Sequence, residues 1–96
     1  MANTFVEQSR PRFPLGRLLI TPGAQAAFSR EEVLSAVYRH QRGDWGTLCK
    51  EDCRRNNGAL RNGERIFSAY QYHEEKLWII TEADRSATTI LLPHEY

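Results

Sequence analysis

The residues in this chain that most readily support chemistry are two cysteines and three histidines. Cys49 and Cys53 are four positions apart, so in a helix they share one face and, with a histidine, offer soft ligands to zinc. A structural zinc site needs four ligands, and the sequence has no CxxC or HxxxH pair to complete one. We therefore predict two small core residues with reduced thiols, no metal and no cofactor.

The histidines are scattered, at the end of a predicted helix (His40), at a hairpin end (His73) and in the tail (His94). A lone histidine in such a place is more often a surface residue or a partner of the helix dipole than a catalytic base. No serine lies in a recognisable nucleophile elbow, and TPGAQ at 21–25 is too short for a phosphate-binding loop. The sequence thus predicts no catalytic residue and a protein that is not an enzyme.

Arginines and asparagines cluster around the second predicted helix and the strand after it. Such a group can track the phosphates of a nucleic acid. Acidic residues in the same stretch weaken the local positive field, so a solvated face of mixed charge is the favoured interpretation. The basic and amide residues are Arg54, Arg55, Asn56, Asn57, Arg61 and Arg65, and the acidic ones are Glu51, Asp52 and Glu64.

The elements that must position these residues begin with a helix over about 30–42. Ser29 and Glu32 have the spacing of a capping box, in which each side chain binds the backbone amide of the other residue. An apolar stripe then runs along the helix at helical spacing. Gly43 suits the end of the helix, because glycine adopts the left-handed conformation there without strain.

The stretch GDWGTLCKED at 43–52 connects this helix to a second one. From Leu48 to Leu60, apolar or small residues recur every three or four positions, which predicts a helix that ends near residue 61. Asp44 or Thr47 is expected to cap it. Trp45 is expected to be buried at the corner between the two helices, because both have apolar stripes that an aromatic ring can pack against.

Strands are predicted on both sides of the helix pair. Alternating or continuous apolar patterns mark them, and Pro22-Gly23 and Pro93 stop two of them. They are GRLLITPG at 16–23, ERIFSAYQYH at 64–73, KLWIITEA at 76–83 and ATTILL at 87–92. The predicted fold class is α+β, with a short N-terminal strand, a two-helix hairpin, and a three-stranded antiparallel meander packed on the helices.

Composition is that of an ordinary globular protein. The chain has 96 residues, of which 41% are hydrophobic and 26% charged, so we expect one domain over 16–96 after an extended arm over 1–15. No apolar run approaches the ~20 residues of a membrane helix and the N-terminal residues lack an apolar signal core, so we expect a cytoplasmic protein without a membrane partner. A net charge of +1 does not favour nucleic-acid binding.

Several stretches of the chain resemble, in sequence, one group of bacterial proteins. They are GDWG at 43–46, AL-x-x-G-x-R from Ala59 to Arg65, SAY at 68–70, and KLWIITEADRSATTILLPHEY at 76–96. Over about residues 13–96 the chain resembles small proteins of plasmids and integrative elements, usually called plasmid-related or hypothetical proteins. The resemblance brings no catalytic residues. It implies an accessory protein of a mobile element that counters host defence by binding a defence complex, as anti-restriction and anti-CRISPR proteins do.

The predicted order of elements also resembles that of the RelE-type toxins, ribonucleases that cleave messenger RNA with basic residues and a tyrosine or histidine on the sheet. This resemblance implies such roles for Arg65, Tyr70, Tyr72, His73 and Arg85. Those toxins are typically strongly basic because they bind ribosomal RNA, whereas this chain has a net charge of +1. An RNA-cleaving or RNA-binding domain is therefore the alternative function.

The favoured function is a non-enzymatic protein that binds a protein partner, with a host defence complex as one candidate. Tyrosine, tryptophan and arginine dominate the binding energy of many protein interfaces. The candidate binding residues are accordingly Arg65, Tyr70, Tyr72, Trp78 and Arg85.

Overall fold

The computed structural model describes residues 10–96 and confirms the mixed α+β class. The described chain forms three α-helices and a four-stranded sheet. The helices are α1 (Pro22–Ala27), α2 (Arg30–Gln41) and α3 (Lys50–Asn62). The strands are β1 (Arg17–Ile20), β2 (Ile66–Tyr72), β3 (Glu75–Thr81) and β4 (Ala87–Leu91), followed by a 3-10 turn over Pro93–Glu95.

The sheet differs from the predicted three-stranded antiparallel meander. Its strand order is β1-β4-β3-β2, and β1 runs parallel to β4 while the other two pairs are antiparallel. The N-terminal strand therefore belongs to a mixed sheet of four strands. Consecutive strands joined by short turns are readily predicted as neighbours, whereas the pairing of Arg17 with Ala87 joins residues that are remote in sequence.

Helix α1 is an element that the sequence pattern did not predict. Thr21 caps it, because its Oγ1 accepts a hydrogen bond from the Ala24 amide at 3.2 Å, and Pro22 occupies the first turn. Proline is favoured at that position because its missing N–H has no partner in a helix start. The sequence pattern predicts only the stop of a strand at this Pro-Gly pair, since both residues are also typical of turns.

The capping box predicted for α2 is confirmed. Ser29 Oγ accepts a hydrogen bond from the Glu32 amide at 3.1 Å, and Glu32 Oε1 accepts one from the Ser29 amide at 2.9 Å. Together these bonds satisfy backbone donors that the first turn of a helix leaves without a partner.

The predicted caps of the second helix are wrong. Helix α3 begins at Lys50 with Cys49 as N-cap and no side-chain hydrogen bond there. Thr47 lies on the edge of β2 instead, where its amide donates to the Ala69 carbonyl at 2.7 Å. Asp44 accepts a hydrogen bond from the Gly46 amide at 3.1 Å.

The GDWG stretch at 43–46 fits the backbone closely against β2. The Trp45 carbonyl accepts a hydrogen bond from the Ala69 amide at 3.4 Å. Gly46, between Trp45 and Thr47, has φ +75°, and a Cβ at this position would collide with the Ala69 carbonyl. Glycine is therefore required here both for its conformation and for the space it leaves.

The alternation of side chains gives the sheet two unlike faces. The helix face packs against the helices and forms most of the core; it consists of Leu18, Ile20, Ile66, Ser68, Tyr70, Tyr72, Leu77, Ile79, Thr81, Thr88 and Ile90. The open face consists of Arg17, Leu19, Phe67, Ala69, Gln71, Lys76, Trp78, Ile80, Ala87, Thr89 and Leu91. Within residues 10–96, the C-terminal 3-10 turn and Tyr96 lie against it, and Ile80 and Leu91 of this face are buried.

Trp45 is buried as predicted, with 4% of its surface exposed. It belongs to a cluster with Phe13, Ala59 and Ile66, and its indole N–H donates to Asn57 Oδ1 at 3.2 Å. Residues 1–9 of the predicted arm lie outside the described residues, whereas Phe13 of the same arm is part of this cluster.

Replacement of Trp45 tests whether its buried indole stabilises the corner between α2 and α3. We expect Trp45→Ala to lower the free energy of unfolding by about 3–5 kcal/mol, the range for large aromatic truncations in cores. Trp78→Ala, which removes a half-exposed indole, serves as the control and should cost clearly less. Denaturant unfolding measures both values, and a loss below about 1 kcal/mol for Trp45→Ala would contradict its role in the core.

Candidate functional site

The open face carries an exposed aromatic cluster around Trp78. The Trp78 ring meets Phe67 edge-on, with centroids 4.9 Å apart, and meets Tyr96 at 5.9 Å. Tyr96 is 70% exposed, and Phe67 and Trp78 are half-buried. Large apolar side chains in contact on an otherwise uncovered sheet face are typical of an interaction surface.

Arg65 fixes the polar border of this cluster. Its Nη1 donates to the Tyr96 hydroxyl at 3.0 Å, and its Nη2 lies 3.6 Å from Glu82 Oε2. The guanidinium lies 5.7 Å from the centroid of the Tyr96 ring. Both the hydrogen bond with Tyr96 and the charge of Glu82 raise the pKa of Arg65, so the side chain remains a cation.

Two clefts open on either side of Tyr96, each of about 240 Å³. The first is mostly apolar and aromatic, and it is lined by Arg65, Phe67, Trp78, Ile80 and Tyr96. The second has two carboxylates on its walls, and it is lined by Arg65, Ile80, Glu82, Thr89, Leu91, Glu95 and Tyr96. Their shared wall and shared arginine make them one continuous surface, here called the Trp78 surface.

Of the five predicted binding residues, the structure brings only Arg65 and Trp78 together. Tyr70 lies on the helix face and is fully buried, where its hydroxyl donates to the Asp44 carbonyl at 2.7 Å. Burial raises the pKa of Tyr70 above its ordinary value. Tyr72 lies on the same face, half-buried against Phe28. Neither tyrosine contributes to the Trp78 surface.

Arg85 binds backbone carbonyls of its own chain. Its Nη1 donates to the carbonyls of Glu64, Glu82 and Ala83 at 2.7–3.0 Å, and its Nη2 donates to that of Ala59 at 3.1 Å. The residue has φ +62°, a conformation that costs energy for a side chain other than glycine. Arg85 therefore holds the β3–β4 turn against the end of α3, at the Ala59 carbonyl that also accepts hydrogen bonds from the Gly63 and Glu64 amides.

A buried chain of hydrogen-bonded polar groups, which the sequence pattern did not predict, lies under the helices. His40 of α2 is fully buried, with Nδ1 2.5 Å from Ser68 Oγ and Nε2 2.8 Å from Thr81 Oγ1. Thr81 Oγ1 is in turn 2.8 Å from Thr88 Oγ1, and Thr88 Oγ1 donates to the Leu15 carbonyl at 2.7 Å. The signal was present in the sequence, because His40 follows the buried residues Ala36 and Val37 at helical spacing.

The Leu15 carbonyl determines the direction of the bonds from Thr88 to His40 Nε2, because a carbonyl can only accept. The Thr88 hydroxyl donates its single hydrogen to Leu15, so Thr81 must donate to Thr88 and His40 must donate from Nε2 to Thr81. Burial lowers the pKa of His40 and keeps the imidazole neutral, with its one proton on Nε2. Nδ1 therefore carries no hydrogen and accepts from the Ser68 hydroxyl.

The Ser68–His40 pair has the atoms of a nucleophile and a base, but both residues are fully buried. Burial lowers the pKa of His40 to about 3. A substrate would have to enter the core to reach Ser68, so the geometry assigns this pair to the structure of the core.

The cysteines do not form a pair in the core. Cys49 is exposed, contrary to the prediction, and Cys53 is half-buried with its thiol 3.8 Å from the Leu48 carbonyl. Within residues 10–96, no three histidine, cysteine or acidic side chains group together as ligands for a metal ion. Among the helices of this part of the chain, none has the length and apolarity to cross a membrane.

The chain matches no protein-family model, no curated protein and no solved structure. Its own contacts, burial and charges are therefore the basis for the functional proposals.

His40 predicts how stability depends on pH. Its pKa is about 3 in the folded chain and about 6.5 in the unfolded chain, so the unfolded chain binds more protons between these values. As the pH is lowered from 6 to 5, the free energy of unfolding should thus fall by about 1 kcal/mol, with most unfolded carboxylates still ionised. Denaturant unfolding at each pH measures the slope.

The matched variants are His40→Gln and His94→Gln. We expect His40→Gln to be less stable at every pH but to lose most of the slope, and His94→Gln, at an exposed position, to keep it. A wild-type protein with no slope between pH 6 and 5 would show that His40 is not buried as a neutral imidazole.

Proposed function

We propose that this chain is a non-enzymatic protein that binds another protein through the Trp78 surface. The observation that supports this is the aromatic cluster of Phe67, Trp78 and Tyr96 on a sheet face that the described helices leave uncovered. Burial of such side chains in an interface releases much of the free energy of association.

The shape of the surface suits an anchor residue from the partner. A cleft of about 240 Å³ beside Trp78 has room for one apolar side chain. Its rim carries Arg65, half-exposed and already oriented by Tyr96 and Glu82. Interfaces commonly combine a desolvated apolar centre with an arginine or tyrosine at the edge, and the surface has this arrangement.

The charges near the surface favour a protein over a nucleic acid. The cleft beyond Tyr96 has the carboxylates of Glu82 and Glu95 on its walls, which repel phosphates. Arg65, which lines both clefts, is paired with Glu82. Single-stranded nucleic-acid sites instead combine stacking aromatics with a groove of unopposed positive charge.

The residues implied by the RelE-type resemblance do not converge on one site. Arg65 borders the open face, Tyr70 and Tyr72 belong to the helix face, and Arg85 is bonded to backbone carbonyls. His73 forms an exposed contact with Glu32 at 2.7 Å, away from Arg65. General acid–base catalysis needs its groups within reach of one reacting bond, so this dispersion supports a binding role.

The kind of partner is proposed from the resemblance alone. The stretches shared with plasmid-related proteins support a small accessory protein of a mobile genetic element that acts in the cytoplasm. Its partner would be a host defence complex of the CRISPR or restriction type, which it inhibits by occupying a surface. This assignment is separable from the Trp78 surface, since another protein partner could use the same clefts.

Substitutions on this surface test the proposal. We expect Trp78→Ala and Arg65→Ala to weaken capture of the partner by tagged protein from a bacterial host lysate, by about 30-fold for Trp78→Ala, as for an interface anchor. Quantitative mass spectrometry of the captured proteins measures the effect. Arg54→Ala on α3, an exposed arginine outside the surface, is the matched control and should leave capture unchanged.

Circular dichroism and thermal unfolding must first show that each variant folds. A folded Trp78→Ala variant that captures the same proteins as the wild type would contradict the proposal. Enrichment of RNA that is sensitive to Arg65→Ala, without any protein, would favour the alternative function.

The non-enzymatic assignment has its own test. We expect that expression of the wild-type chain neither halts translation nor cleaves messenger RNA, because the candidate groups are dispersed. Radiolabelled amino-acid incorporation and primer extension on messenger RNA measure these effects. Growth arrest on induction that folded Arg65→Ala relieves would contradict the assignment, whereas Arg85→Ala is expected to lower stability because it removes the bonds to the β3–β4 turn.

A further inference from the structure

The two edge strands of the sheet, β2 and β1, differ in whether other parts of the described chain cover their outer backbone groups. The outer edge of β2 is bonded to the chain's own backbone and side chains: Ala69 pairs with Trp45 and Thr47, and the Asn56 amide bonds both the N–H and the carbonyl of Phe67. A covered edge cannot accept another strand, which is how many proteins prevent unwanted pairing.

The outer edge of β1 has no such cover within residues 10–96. The Arg17 amide donates to the carbonyl of Ser86, just before β4, and the Thr21 amide to that of Ile90 in β4, at 3.0 Å each. By alternation, Leu18 and Ile20 direct their backbone N–H and carbonyl groups away from the sheet. The strand is also apolar and exposed, at 50% for Leu18, 40% for Leu19 and 38% for Ile20. Neither proline, lysine nor a bulge interrupts its residues RLLI.

We propose that β1 is a self-association edge, at which two copies of this chain pair their β1 strands antiparallel about a twofold axis at Leu19. Leu18 of one copy then lies opposite Ile20 of the other, and each such pair exchanges two backbone hydrogen bonds. This register is self-complementary, and it uses the outward groups of both residues in both copies. The two sheets join into one, with the helices of both copies on the same side.

Charge complementarity favours a second copy as the occupant. In this register Arg17 lies opposite Thr21 of the other copy. Thr21 Oγ1 and the Gly23 amide bond the carboxylate of Glu95, at 2.5 and 3.2 Å. Arg17 and this carboxylate are both on the open-face side, so each guanidinium approaches a carboxylate of the other copy, while the two Arg17 side chains stay apart.

The apolar side chains also find partners in this arrangement. The two Leu19 side chains face each other across the axis on the open face. On the helix side, Leu18 of one copy meets Ile20 of the other at the mouth of a groove of about 430 Å³. Exposed Leu34 of α2 forms another wall of this groove. The inference does not depend on the proposed function, because it concerns a different edge.

The mass of the full chain in solution tests the proposal. Sedimentation equilibrium over a range of concentrations should show a reversible dimer with twice the 11.1 kDa mass of the chain. A protein that stays monomeric at the highest concentration reached would overturn the proposal.

Charge substitutions at the axis test the register. Leu19→Glu and Leu19→Lys each place like charges directly opposite one another, so each should weaken the dimer at least about tenfold. An equimolar mixture of the two variants should restore dimers, because opposite charges then face each other. Failure of the mixture to restore them would overturn the register and the proposal with it.

The matched control is Gln71→Glu, which adds the same charge at an exposed position of the covered edge strand β2. We expect it to leave the dimer unchanged. Equal dissociation by Gln71→Glu, or a dimer that Leu19→Glu does not affect, would place the interface elsewhere and overturn the proposal. Leu19 is exposed in the monomer, so its variants should fold, which circular dichroism checks.

Discussion

The sheet has two faces, and a single layer of helices can cover only one of them. This constraint determines most of the structure. The described chain has three helices, the longest of which is α3 (Lys50–Asn62), and they pack on the helix face and along the β2 edge. Within residues 10–96 no helix packs on the other face, where Tyr96 and the 3-10 turn lie. Ile80 and Leu91 on that face are buried, whereas Phe67 and Trp78 stay partly accessible and Tyr96 is exposed, which is the physical reason for the proposed binding role.

The helix face is organised by the hydrogen-bonded chain from Leu15 through Thr88, Thr81 and His40 to Ser68. Each polar group in this row of hydrogen bonds can donate or accept in one direction only. The hydrogen bonds therefore fix how α2, three strands and the N-terminal segment pack together. Polar groups buried in this way are costly if one partner is lost. The helix face of the sheet therefore serves stability, and the proposed recognition sites are the open face and the exposed β1 edge.

Local features of the fold were predictable from the sequence, and distant pairings were not. The capping box at Ser29 and the burial of Trp45 follow from short-range spacing, and both are confirmed. The place of β1 beside β4 depends on contacts between the two ends of the chain, which periodicity does not report. The same holds for the surface: aromatic and arginine content indicated Arg65 and Trp78 together with Tyr70 and Arg85, and only the strand register shows which of them share the open face.

The proposed function requires that a protein partner binds the open face of the sheet. Oxidative footprinting of side chains, with the chain free and in complex with its captured partner, tests this claim most directly because it reports the exposure of each residue. We expect strong protection of Phe67, Trp78 and Tyr96 from oxidation in the complex, and unchanged oxidation of Tyr38 on α2. Unchanged oxidation of Trp78 and Tyr96, with protection confined to the helical side of the molecule, would contradict it.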